Sequence, residues 1–144
     1  MHRFAALALV AFAAVAGIVA SGGRASAGSL LSNLEARACE DPYILAKIRD
    51  RFRHQTRNVP NLPDVDITDF RGIHEHRYLP YAEDWPIARR YCGATAALSD
   101  GSDRTIWYLI EDGMGFVGIG DNVEFCVSGF DRWFVYNGHC RILR

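Results

Sequence analysis

The sequence predicts an α+β domain in which one N-terminal helix packs on a four- to five-stranded antiparallel meander sheet tied by two disulfides. Three observations carry that expectation. A single helical stripe, Ile44, Leu45, Ile48 and Phe52, is followed by strand-like segments almost to the last residue. Asp-Gly pairs at Asp100-Gly101 and Asp112-Gly113 mark reversals between those segments, because they readily adopt the positive backbone angles that tight hairpins need. Four cysteines, an even number, follow a leader of export type.

The leader is residues 1–27, MHRFAALALVAFAAVAGIVASGGRASA. A basic start (His2, Arg3) precedes an uncharged apolar run from Phe4 to Ala20, and the small residues Ala25-Ser26-Ala27 suit cleavage after Ala27. The competing reading is an uncleaved anchor, since a run of about 17 apolar residues is only just long enough to span a bilayer. Small side chains at the cleavage positions favour a signal peptide, a periplasmic or secreted destination, and a single mature domain over residues 28–144. Losing Arg3 and Arg24 leaves 14 basic and 17 acidic side chains, a net charge of −3. No basic field remains to attract nucleic acid.

Each element has its own justification. Residues 28–38 form a short lead-in. The helix begins at Asp41-Pro42, where aspartate can cap free amides and proline occupies a position that needs no N–H donor. Lys47 and Arg51 flank its apolar stripe on one side, Arg49 and Arg53 on the other. Such side chains can snorkel from a helix lying on a sheet. Alternatively, helix 42–54 could rest on an anionic membrane surface, but the stripe is short and the domain is acidic. Pro60 and Pro63 then interrupt regular structure.

Strands are expected at Val65 to Tyr78, bent near Asp69 to Gly72, and at Ala88 to Leu98. Thr105 to Glu111 is apolar on both faces and should be central. Phe116 to Val127 follows, with Gly118 and Gly120 signalling a bulge or close backbone approach. Phe134 to Leu143 supplies a possible fifth strand, interrupted at Asn137-Gly138. A helix across such a meander is the arrangement of cystatin-like or NTF2-like folds.

Three disulfide pairings are open to Cys39, Cys92, Cys126 and Cys140. The preferred set joins Cys126 to Cys140, closing a short loop, and Cys39 to Cys92. The alternative joins Cys92 to Cys126 and Cys39 to Cys140. A four-cysteine metal site is disfavoured because no Cys-x-x-Cys pair is present.

The segment between Cys126 and Cys140 carries the candidate binding residues Asp131, Arg132, Trp133 and Tyr136, of the types that dominate interfaces. The same aromatics could complete a small core, with Phe130 or Phe134 plugging one end of the sheet. His74-Glu75-His76 is a weaker alternative, a metal site on one strand face, with His54, Asp66 or His139 as a third ligand. Arg89 and Arg90 should point to opposite faces, and Glu83-Asp84 and Glu111-Asp112 should be solvated beside turns. No Gly-x-Ser-x-Gly elbow, phosphate loop or haem attachment motif occurs. With both disulfides formed, no thiol nucleophile remains.

The stretches CEDPYILAKIRDRF, RRYCGATAALSDG, YLIE, GFVGIG and VEFCVSGFDRWFVYNGHCRILR resemble a family of short exported, four-cysteine bacterial proteins with no assigned biochemical activity. The resemblance extends from Cys39 to the end and implies a shared disulfide-stabilised fold, with no catalytic residues or cofactor to carry over. The expectation is an exported binding or accessory protein of the cell envelope, with a protein or envelope component as partner. A small metal-binding protein or enzyme using His74 and His76 is the alternative.

Overall fold

The computed structural model describes residues 37–144. The leader, its cleavage position and most of the lead-in lie outside the described residues. Helix α1 spans Pro42–Asn58, and four strands follow: β1 (Ile67–Leu79), β2 (Arg89–Leu98), β3 (Asp103–Glu111) and β4 (Asn122–Val127). They form one antiparallel sheet in the order β1-β2-β3-β4. This is the α+β meander expected from the sequence, with β3 in the interior.

Asp41 caps α1, its Oδ1 accepting a hydrogen bond from the Tyr43 amide at 2.8 Å, and proline opens the first turn. The helix runs past the expected end at residue 54 to Asn58, because Thr56 is buried and its hydroxyl lies 3.2 Å from the Val65 carbonyl. Ile44, Ile48 and Phe52 pack on Cys92, Ala94, Ala96, Ile106, Tyr108, Val123 and Val127. Phe52 meets Phe130 edge-on at 4.9 Å. Tyr108, fully buried, donates its hydroxyl hydrogen to the Cys39 carbonyl at 2.6 Å.

The opposite face of the sheet has a smaller core. Leu109 and Cys126 pack there with Cys140 and Leu143, bordered by Tyr91, Trp107 and Tyr136. The chain after β4 folds back across this face, so the sheet lies between α1 and a C-terminal strap. Each layer is fastened by one disulfide: Cys39–Cys92 on the helix side, Cys126–Cys140 on the strap side. This is the preferred pairing, and it points to a non-reducing compartment.

The basic residues of α1 have specific partners along both sheet edges. On the β4 side, Lys47 donates to the Asp121 carbonyl at 2.8 Å, Arg51 to the Val123 carbonyl, and Gln55 to the Phe130 carbonyl at 2.9 Å. This row at four-residue spacing ties the helix to the start of β4, to the residue before it and to the loop after it. On the β1 side, Arg49 donates to the Thr68 carbonyl at 3.4 Å, and Arg53 and Arg57 pair with Asp66. These side chains are therefore clamps rather than a free basic face. Among the described residues, no helix is long and apolar enough to cross a membrane.

Among the described residues the sheet has four strands, and the fifth expected over Phe134 to Leu143 does not form. Residues 128–144 are turns and a short 3-10 segment, Gly138–Cys140. The Asp131 carboxylate accepts from the amides of Val135 (2.9 Å) and Tyr136 (2.8 Å), donors that a ladder would need. Phe134, Asn137, His139 and Cys140 all have φ between 54° and 60°, which breaks extended structure. Likewise β4 begins at Asn122 rather than Phe116, because Gly118 and Gly120 adopt positive φ in a closed loop.

Candidate functional site

The last turns of α1, the end of β4 and the loop after it enclose a groove of about 310 Å³. Arg51 and Gln55 line it from the helix, Phe125 from β4, and Phe130, Trp133 and Tyr136 from the loop. All four residues expected from sequence, Asp131, Arg132, Trp133 and Tyr136, border this groove, but their roles differ. Trp133 is 64% exposed and Arg132 is exposed, both free to meet a partner. Asp131 is committed to the loop by its two amide bonds, so it is a brace for the site rather than one of its exposed contacts.

Tyr136 is half-buried, and burial, followed by the charges of Glu124 and Asp131, raises its phenol pKa. It therefore stays a neutral hydroxyl near pH 7, able to donate a hydrogen bond. Phe130 is buried against Phe52, whereas Phe134 is 68% exposed, so Phe130 plugs the sheet and Phe134 does not. Arg51, read from sequence only as a flank of the helix stripe, and Gln55, which the sequence reading did not single out, are both site residues. Their four-residue spacing puts them on one side of the helix; the groove they line is not visible without the β4 loop.

His74 and His76 occupy the outer face of β1, with ring centroids 6.4 Å apart. Both rings meet the edge of Trp107, at 6.1 Å and 5.0 Å, and His76 also lies 6.1 Å from Tyr91. His74 Nδ1 is 2.9 Å from the Gly72 carbonyl. Desolvation, then the Arg77 charge, lowers the His76 pKa. The pair is thus built into the aromatic packing that carries the strap. His54, Asp66 and His139 are not gathered to it, and no group of three metal-ligating side chains occurs among the described residues.

Arg89 and Arg90 do point to opposite faces, but both are paired. Arg89 reaches Glu111 at 2.9 Å; Arg90, 6% exposed, is ion-paired with Glu75 and lies over the Tyr78 ring. Glu111, expected to be solvated, is instead held between Arg89 and Asn122. Burial alone would raise its pKa, but those hydrogen bonds together with the Arg89 charge keep it below the usual glutamate value. All four cysteines are in disulfides, so no thiol is available for catalysis. The groove can offer apolar contact, one or two guanidinium groups and a phenol, which is recognition chemistry. No family model, no curated protein and no solved structure matches this chain.

Proposed function

We propose that this protein is an exported, disulfide-stapled binding or accessory module of the cell envelope, acting through the groove between α1 and the C-terminal loop. It would belong with short exported four-cysteine bacterial proteins and share the helix-on-sheet plan of cystatin-like or NTF2-like folds. The observation that carries the reading is the convergence of Arg51, Arg132, Trp133 and Tyr136 on one groove whose loop is fixed by Cys126–Cys140 and the Asp131 brace. A loop ordered before binding loses little conformational entropy when it engages a partner.

The groove suits a protein segment that presents an apolar side chain beside a carboxylate. Trp133 and Phe125 would pack on the first, and Arg132 would meet the second. A chain carrying Arg132→Ala and Trp133→Ala should lose cross-linking to its envelope partner while its melting temperature changes little, since both side chains are exposed. Undiminished cross-linking would exclude the groove as the binding surface.

A further inference from the structure

The meander brings two loops to the same end of the sheet: residues 80–88 between β1 and β2, and residues 112–121 between β3 and β4. The amide of Asp112 donates to the Ala88 carbonyl at 3.1 Å, tying one loop to the other. Together they expose Tyr81 (69%), Trp85 (57%), Phe116 (92%), Val117 (79%) and Ile119 (80%), with Met114 half-exposed beside them. Scattered exposed apolar residues need no explanation, but a concentration of this size on two joined loops does.

The 112–121 loop is ordered by its own backbone. Gly115 donates to the Gly120 carbonyl at 2.8 Å, Gly118 to the Gly115 carbonyl at 2.9 Å, and Gly113 to Asp121 Oδ1 at 3.0 Å. A Cβ at Gly115 would sit 2.0 Å from the Ile119 carbonyl oxygen, so only glycine lets the loop close. Val117, a β-branched residue, is held at φ 58°, a conformation that surrounding structure must impose. With these donors satisfied internally, the loop can leave water at low cost, and its apolar side chains all face outward.

The two loops themselves carry charge of one sign. Glu83 and Asp84 lie on the first loop, Asp112 and Asp121 on the second, and neither loop contains Lys or Arg. The neighbouring cations are engaged: Arg89 with Glu111, Arg90 with Glu75, and Lys47 with the Asp121 carbonyl. We infer that the paired loops form a preorganised apolar knob that inserts Phe116, Val117 and Ile119 into an apolar cavity of another protein rimmed by lysine or arginine. A lipid surface fits less well, because the same loops would carry four carboxylates into the headgroup layer, against desolvation and the negative potential of anionic lipids. This surface is separate from the groove, which lies toward the other end of β4 and has arginines at its border.

The test places a benzoylphenylalanine photoprobe at position 116 of the full chain, made and exported by its own cells, and irradiates the cells intact. The expected product joins the probe to one different polypeptide, through a peptide lining an apolar concavity bordered by Lys or Arg. Ile119→Asp in the same chain should cut that adduct at least about tenfold, because it would bury an unpaired carboxylate. It should leave the melting temperature and both disulfides unchanged, since Ile119 is exposed. Roughly 0.5 M salt before irradiation should weaken the adduct by screening the acidic collar. Arg132→Ala with Trp133→Ala should leave it intact, separating this surface from the groove. Adducts mainly to phospholipid, mainly to a second copy of this chain, or no more abundant than from a probe at exposed Arg104, would each overturn the proposal.

Discussion

Replacing Cys126 and Cys140 together by alanine removes the covalent tie between β4 and the C-terminal strap while leaving Cys39–Cys92 in place. The bonded residues are 14 apart in sequence. Restricting a loop of that length in the unfolded chain stabilises the fold by about 3 kcal/mol. Both sulfurs are also buried in the outer core with Leu109 and Leu143, so lost packing adds to that figure. For a domain of this size, about 3 kcal/mol corresponds to a fall in melting temperature of roughly 12–20 °C. Thermal unfolding followed by circular dichroism measures it, and tryptophan fluorescence reports whether Trp107 becomes wetter as the strap lifts. The same arithmetic gives about 4 kcal/mol for Cys39–Cys92, whose residues are 53 apart. Removing the shorter bridge should therefore be the milder lesion, with the helix still docked. A shift under about 5 °C, or equal damage from both deletions, would refute the assignment of the strap as a stability device held by its clasp.

Two further outcomes are expected. Gly93→Ala should destabilise by about 1–3 kcal/mol, because its Cβ would lie 2.6 Å from Trp107 and 2.8 Å from His74 in a packed outer face; a neutral result in a urea titration would show that those rings give way freely. The folded-state pKa of His76 lies below the ordinary 6.5, so its contribution to stability is complete above 6.5 and is lost as pH falls through the lower folded value. Melting temperature should accordingly fall less for His76→Gln than for the parent chain between about pH 7.5 and pH 5, and identical slopes would show that burial and Arg77 do not disfavour the charged imidazole.

Much of the architecture was legible. The stripe Ile44, Ile48, Phe52 and the cap Asp41-Pro42 are local signals, and they placed α1 correctly at its start. Its end ran on because Thr56 finds Val65, a contact no local pattern encodes. The fifth strand failed for a similar reason. Phe134 to Leu143 has strand-like composition, but Asp131 takes the amides of Val135 and Tyr136 and the disulfide turns Cys140 back to the sheet. Of the candidate site, the four residues of the loop were readable from composition between two cysteines. Asp131 exchanged the role of contact for that of brace, and the helix side of the groove, Arg51 with Gln55, was not foreseen. The apolar loop end escaped notice because GMGFVGIG looks like the start of a strand until its glycines close it.

The amino-acid order alone determined the helix, the turns, the alternation that makes a two-faced sheet, and the supply of cysteines for covalent ties. These depend on backbone preferences and on spacing within a few residues, which any stretch of chain carries with it. Tertiary structure alone decided which cysteines met, which charges became clamps on the sheet edges, and which aromatics stayed outside. Those outcomes are set by side chains far apart in sequence competing for the same donors and the same dry space, and only the folded arrangement settles that competition.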